Sequence, residues 1–155
     1  MDIQTLEPIL RQHEALRDLR DEHVRFLTGC AKNVRYEPGA FLFREGDPAD
    51  ALVLVRSGRV AIETFVPGKG AILLEDAGEG DVIGWSWLFP PCRRSADARA
   101  TELTLAVELD GACLRRKMDV DHDFGYAMAM LLLHKMHSRI DWVRLQWLDL
   151  YKAGA

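Results

Sequence analysis

Three aspartates, Asp119, Asp121 and Asp123, alternate just ahead of a long apolar stretch, and carboxylates so spaced could hold a hard cation through oxygen. They lack the central glycine and terminal glutamate of a calcium loop, so they read as acids placed at a helix start, where the dipole favours them. His13, His122, His134 and His137 are the other metal-capable set. His134 and His137 lie three apart on one helical face, but no third ligand follows at a suitable spacing, and a solvated face explains them. Cys30, Cys92 and Cys113 are too few and too scattered for a disulfide framework or a CxxC knuckle, and they are expected as reduced, partly buried thiols. No nucleophile–base pairing, paired carboxylates or glycine-rich P-loop is evident, so the chain is not expected to be an enzyme. What remains is the run Trp85-Ser86-Trp87 and the loop Arg93-Arg94-Ser95. A guanidinium pairs with anions, whereas an indole N–H only donates. For Arg94 the alternative is a surface arginine in a loop that also holds Arg93 and Arg99.

These residues are set among short apolar runs cut by Pro-Gly, Gly-Asp and Ser-Gly turns, the rhythm of short antiparallel strands in a roll or barrel. Strands are expected at Val34–Tyr36, Phe41–Phe43, Ala51–Arg56, Arg59–Thr64, Ala71–Glu75, Val82–Ile83, Asp97–Ala100 and Thr104–Leu109, with Pro67-Gly68-Lys69-Gly70 as a hairpin tip. Eight short strands suit a jelly roll. Ahead of them, Leu6, Ile9, Leu10, His13 and Leu16 recur at helical spacing, and Val24, Leu27 and Cys30 form a second stripe behind Asp21 as N-cap. After Asp110, a good N-cap, the pattern stays helical: a short helix over Asp110–Met118, then a long one opened by Asp121 or Asp123 and reaching about Tyr151. The expected organisation is therefore N-terminal helices over 1–32, a roll over 33–109 and C-terminal helices over 110–155.

The 155 residues allow one core of ordinary size, and 48% apolar residues are enough to fill it. No apolar run approaches the roughly 18 residues of a membrane span, and Asp2, Glu7 and Pro8 do not open a signal peptide. A cytoplasmic protein with no membrane contact is expected. With 24 acidic against 20 basic residues and a net charge of −4, sequence-independent binding to a phosphate backbone is not expected.

The wording of the turns carries more than their rhythm. Tyr36-Glu37-Pro38-Gly39-Ala40-Phe41-Leu42-Phe43-Arg44-Glu45-Gly46-Asp47, then Leu52 to Ile62 with Ser57-Gly58, then Gly78-Glu79-Gly80-Asp81-Val82-Ile83-Gly84 together resemble the cyclic-nucleotide-binding domain, the sensor module of catabolite-activator and FNR-like regulators, cation channels and protein kinase A regulatory subunits. The resemblance runs from about Leu16 to the C-terminal helix. It implies a mainly β fold with flanking helices, the cyclic-nucleotide-binding-domain jelly roll or double-stranded β-helix, and a long C-terminal dimer or docking helix.

The resemblance also implies a phosphate-binding cassette, and here the chain departs from the family. A cyclic nucleotide needs backbone N–H groups at a short helix start, an arginine for the phosphate and a carboxylate to accept from the ribose 2′-hydroxyl. Gly84 stands in the family's glycine position, and ten residues on, Arg94-Ser95-Ala96 falls where the phosphate-binding Arg-Ser-Ala belongs. The place of the carboxylate is taken by Trp85, and Trp87 replaces a small residue. Either Trp85 and Trp87 fill the pocket, or Gly84, Trp85, Ser86, Arg94 and Ser95 hold a different phosphorylated ligand with an indole face against a base. No cofactor is certain from this pattern. A nucleotide is possible, and tight cyclic AMP or cyclic GMP binding is doubtful because a lost hydrogen bond to a buried hydroxyl costs about 1–3 kcal/mol.

Ala129, Leu133, Met136, Ile140, Val143, Trp147 and Leu150 are spaced 4, 3, 4, 3, 4, 3, an a/d seam. A helix of about 30 residues extends roughly 45 Å, longer than a roll of this size covers. In the regulators it resembles, the equivalent helix forms a parallel dimer, so Leu133, Met136, Ile140, Val143, Trp147 and Leu150 are expected to join a second copy or another subunit. Those regulators continue into a helix-turn-helix domain, and since this sequence ends at Ala155, direct DNA binding by it is not expected. The expected function is a non-catalytic regulatory or accessory module acting through protein contacts and sensing a non-standard nucleotide or phosphorylated ligand. The Trp-Ser-Trp-Leu-Phe-Pro-Pro run also resembles small stand-alone members associated with nickel–iron hydrogenases. The alternative is accordingly a ligand-free accessory subunit of a larger redox complex.

Overall fold

A computed structural model describes residues 3–154, so Met1, Asp2 and Ala155, the outer ends of the expected segments, lie outside the described residues. The chain divides into two compact units, Met1–Lys117 and Met118–Ala155.

The first unit opens with α1 (Ile3–Gln12) and α2 (Asp21–Thr28). The apolar stripe expected as one helix through Leu16 is broken after Gln12: His13 turns extended and its Nδ1 accepts from the Ala15 N–H, capping a single 3-10 turn over Glu14–Leu16. Leu16 stays buried across the break, which is why the helical spacing ran on through it. Asp21 is a first-turn acid rather than the cap, a position that Arg20 occupies in extended conformation.

Eight strands follow: β1 (Ala31–Tyr36), β2 (Phe41–Phe43), β3 (Ala51–Ser57), β4 (Val60–Val66), β5 (Gly70–Ala77), β6 (Val82–Ile83), β7 (Asp97–Ala100) and β8 (Thr104–Asp110). They pair antiparallel into two four-stranded sheets, ordered β1-β8-β3-β6 and β2-β7-β4-β5. Val53, Val55, Ile83 and Ala106 of the first sheet meet Val60, Ala77 and Ala98 of the second in the core, with Val34, Tyr36, Leu42, Phe43 and Ile62 packed around them. Burying such side chains is the main stabilising contribution, about 1.5–3 kcal/mol for each large aliphatic one. This is the jelly roll the turns foretold, with each expected strand present, several extended by one to three residues, and β4 starting one residue later than expected. The β4–β5 hairpin tip carries left-handed glycines at Gly68 and Gly70.

Asp110 caps α3 (Gly111–Val120) as expected, its Oδ2 accepting from the Cys113 N–H at 2.9 Å. One expectation is corrected. Cys30 and Cys113 are not reduced thiols but a disulfide, their Cα atoms 5.6 Å apart across a separation of 83 residues. The Asp110 N–H donates to the Cys30 carbonyl at 2.9 Å, and this bond between the end of β8 and the residue before β1 brings the two cysteines together. Cys92 is the free thiol among the described residues.

The second unit is the end of α3 and α4 (His122–Ala153). Asp121 caps α4, accepting from the Phe124 N–H at 3.1 Å. Phe124, Met128 and Leu132 are its buried residues. Beyond them Leu133, Ile140, Val143, Trp147 and Leu150 are exposed, Trp147 by 68% and Leu150 by 71%, and so are Trp142, Leu145, Leu148 and Tyr151 at other heptad positions. Among the described residues no helix is long and apolar enough to cross a membrane.

Candidate phosphate-binding site

The site is built from turns that fasten one arginine. Asp81 accepts from the Gly78 N–H at 2.8 Å and its carbonyl accepts from Val55 N–H at 2.9 Å, which locks the Gly78–Asp81 turn onto β3 and feeds β6 into Gly84. Gly84 is left-handed, φ 87° and ψ 46°, and starts a single 3-10 turn over Trp85–Trp87. After the cis Pro90–Pro91 bond and Cys92 the chain returns along the Arg44–Asp47 turn. There the Arg94 N–H donates to the Asp47 carbonyl and the Arg94 carbonyl accepts from Gly46 N–H, each at 2.8 Å. The Glu45-Gly46-Asp47 motif thus fixes the backbone of Arg94.

The Arg94 side chain points inward and is 4% exposed. Its Nη2 donates to the Ala51 carbonyl at 2.7 Å, and its guanidinium carbon stands 4.1 Å over the centre of the Phe43 ring. Nε and Nη1 are buried without a hydrogen-bond partner. The nearest carboxylate contact is Asp50 at 4.0 Å, from a side chain that is 87% exposed. Burial pushes the Arg94 pKa down, opposed by the charges of Asp50, Glu108 and Asp47. A buried cation with unmet donors is costly unless an anion completes it. A Cβ added at Gly84 would sit 2.8 Å from Arg94 Nη1 and 3.1 Å from the Ala51 carbonyl, so only glycine leaves the guanidinium its place.

The other expected site residues divide. Trp85 follows Gly84 directly, and its buried Nε1 is also unpartnered. Trp87 is a packing residue: it is 3% exposed, its Cβ lies 3.3 Å from the place of a Gly111 Cβ, and its carbonyl accepts from Arg115 at 2.8 Å. It therefore ties the cassette turn to α3. Ser86 sits in the 3-10 turn and Ser95 is exposed. His13 is buried with Nε2 2.7 Å from the Val55 carbonyl, whereas His134 and His137 lie on α4. No group of three metal-capable side chains occurs among the described residues.

Two contributors escaped the sequence reading. Tyr36 and Glu108 face the interior of the roll, and the Tyr36 hydroxyl donates to Glu108 Oε1. Burial, then this bond, push the Tyr36 phenol above the ordinary tyrosine range. The sequence carried no signal for Glu108: Leu105, Val107 and Leu109 make the other face of β8 the apolar one, yet Glu108 shares its face with the core residue Ala106.

Residues 33–121 match the family model described as the cyclic nucleotide-binding domain, and the chain belongs to that family. It is 28% identical over 110 residues to a CRP-like cAMP-activated global transcriptional regulator of Mycobacterium tuberculosis, covering 71% of this chain and 49% of the relative. It is 36% identical over 110 residues to an uncharacterized protein of the same organism, covering 69% of this chain and 20% of that one. The chain thus spans half or less of the length of these curated relatives. Among solved structures, a cyclic nucleotide-binding domain from Methylobacillus flagellatus superposes with a TM-score of 0.78 at 25% identity, over 90% of this chain and 80% of that one. The family is one of regulatory domains.

Proposed function

We propose that the chain is a non-catalytic regulatory or accessory module that holds a phosphorylated, nucleotide-type ligand in its roll and acts on another protein chain through α4. The observation that carries the ligand half is the buried Arg94, with Nε and Nη1 unpartnered beside a glycine that makes room for it. An anion with several acceptor oxygens, which a phosphate is, is the kind of group such open guanidinium donors take. The match to a cyclic nucleotide-binding domain supports a nucleotide as the bearer of that phosphate. Trp85 argues against the standard ligands, since its indole N–H cannot accept from a ribose hydroxyl.

The protein-contact half rests on α4, whose exposed leucine, isoleucine, valine and tryptophan residues recur at seam spacing. A second copy of the chain or the helix of another subunit would cover them. Neither the relatives nor the geometry favours the redox-complex alternative.

Isothermal titration with cyclic AMP, cyclic GMP and nucleoside monophosphates, each taken to near-millimolar concentration, tests the ligand. The expected result is weak or no binding of the two cyclic nucleotides and Arg94-dependent binding of another phosphorylated compound. Arg94→Ala should then weaken that compound by roughly 1.5–3 kcal/mol, the worth of a charged hydrogen bond. Unchanged affinity would return Arg94 to the status of a structural residue.

A further inference from the structure

The interior of the roll holds a second polar feature besides Arg94, and register fixes its place. Glu108 is paired with Val53 on β3, and Ala106 with Val55, so Glu108 projects from the same face as these core residues. Tyr36, opposite Thr104 on β1, shares that face and donates its hydroxyl to Glu108. Arg94 is anchored on the carbonyl of Ala51, two residues from Val53 along the same strand. Two residues of strand span about 7 Å. The roll therefore presents a cation with unmet donors beside Ala51 and a carboxylate, held by a phenol, across from a point two residues further along the same strand. Glu108 and Tyr36 both interact electrostatically with Arg94, in keeping with a shared interior.

This arrangement selects a ligand that is an anion at one end and a hydrogen-bond donor at the other. A ribonucleoside 5′-phosphate fits the description: its phosphate hangs on the 5′-methylene, and both ring hydroxyls remain free to donate. Closing the phosphate onto the 3′ oxygen consumes one of those hydroxyls and draws the anion against the ring. Building on the phosphate role of Arg94, we propose that Glu108 is the acceptor for the sugar hydroxyls of the same ligand, and that the ligand class is open ribonucleoside 5′-phosphates rather than 3′,5′-cyclic ones.

The test is calorimetric titration of the whole chain with the four ribonucleoside 5′-monophosphates, their 2′,3′-dideoxy counterparts and the 3′,5′-cyclic nucleotides. Wild type, Arg94→Ala, Glu108→Gln and Tyr36→Phe are compared. At least one 5′-monophosphate should bind more tightly than its cyclic form and about tenfold more tightly than its dideoxy form, the worth of one buried hydrogen bond. Glu108→Gln, whose neutral amide oxygen accepts more weakly than a carboxylate, should reduce the preference for the ribose. Tyr36→Phe, which leaves the carboxylate in place, should keep it, and this variant with the wild-type comparison decides the matter even if Glu108→Gln fails to fold. Wild type that ignores the hydroxyls, a preference undiminished in Glu108→Gln, or one lost in Tyr36→Phe overturns the assignment of Glu108. In those cases Arg94-dependent binding would still stand. Absence of binding by every nucleotide would overturn the phosphate reading itself, and this inference with it.

Discussion

Replacing Gly84 by alanine tests how tightly Arg94 is held. At φ 87° and ψ 46° an alanine pays the left-handed penalty, about 1–2 kcal/mol. Its Cβ would also stand 2.8 Å from Arg94 Nη1 and 3.1 Å from the Ala51 carbonyl, both well inside contact distance. An exposed arginine would swing aside at little cost. This one is buried, stacked on Phe43 and bonded through Nη2 to the same Ala51 carbonyl, so relief of the clash loses a charged hydrogen bond, about 1.5–3 kcal/mol. The total is about 2.5–5 kcal/mol, the sum of the two contributions. Gly39→Ala is the internal control, with φ 88° and nothing within 4 Å of its added Cβ, and it should cost only the backbone penalty. Urea unfolding of both variants, read at constant m, gives the difference. Placing Gly84→Ala in an Arg94→Ala background should remove the excess, because the clash partner is gone. Equal losses for Gly84→Ala and Gly39→Ala would refute the claim that the guanidinium is clamped against Gly84.

Ile140→Asp with Val143→Asp on α4 should abolish self-association or partner capture, while circular dichroism retains the strand signal, because the core of the roll draws on neither residue. Light scattering that shows wild type as a well-behaved monomer at tens of micromolar would count against α4 as an interface. Under oxidising conditions Cys30→Ser should lower unfolding free energy by about 2–4 kcal/mol, since the bond closes a long loop. A reductant should lower wild type to the same level and leave the variant unchanged. Tyr36 has a raised pKa in the folded state, so its contribution to stability is fully present below the ordinary tyrosine pKa of about 10 and is lost as pH rises through the higher folded value. Absorbance titration of the folded protein should accordingly show a phenol that ionises late and is missing in Tyr36→Phe.

Most of the roll was legible because glycine and proline turns, rather than strand propensity, bound its strands. Pro38-Gly39, Gly46-Asp47, Ser57-Gly58 and Gly78–Asp81 each close a turn between or beside strands. Gly84 and Arg94 were singled out by the resemblance, which spaces a glycine and an arginine ten residues apart, and the structure sets them side by side, a Cβ at Gly84 falling 2.8 Å from Arg94 Nη1. The disulfide was not, because its partners are 83 residues apart and meet through a backbone bond from Asp110 to Cys30 that no spacing reveals. Glu108 was hidden because Leu105, Val107 and Leu109 are the apolar set of Thr104–Asp110, so alternation alone turns Glu108 outward, and only the pairing with Val53 and Val55 shows that the face of Ala106 and Glu108 looks into the roll. Trp87 was read as a pocket residue because its neighbours in sequence are. The 3-10 turn instead sends it beneath α3, while Trp85 stays with Gly84.

The central claim is that Arg94 is kept for a ligand and not for the fold, and Arg94→Met tests it most directly. A buried guanidinium with two unmet nitrogens weakens the empty domain, and an apolar side chain of similar length removes that penalty. Urea unfolding of wild type and Arg94→Met should therefore show the variant at least as stable as wild type without ligand. With nucleoside monophosphates in near-millimolar excess, wild type alone should gain stability, by linkage to binding. A variant that is less stable by several kcal/mol without ligand, or that gains as much as wild type from the nucleotides, would contradict the account.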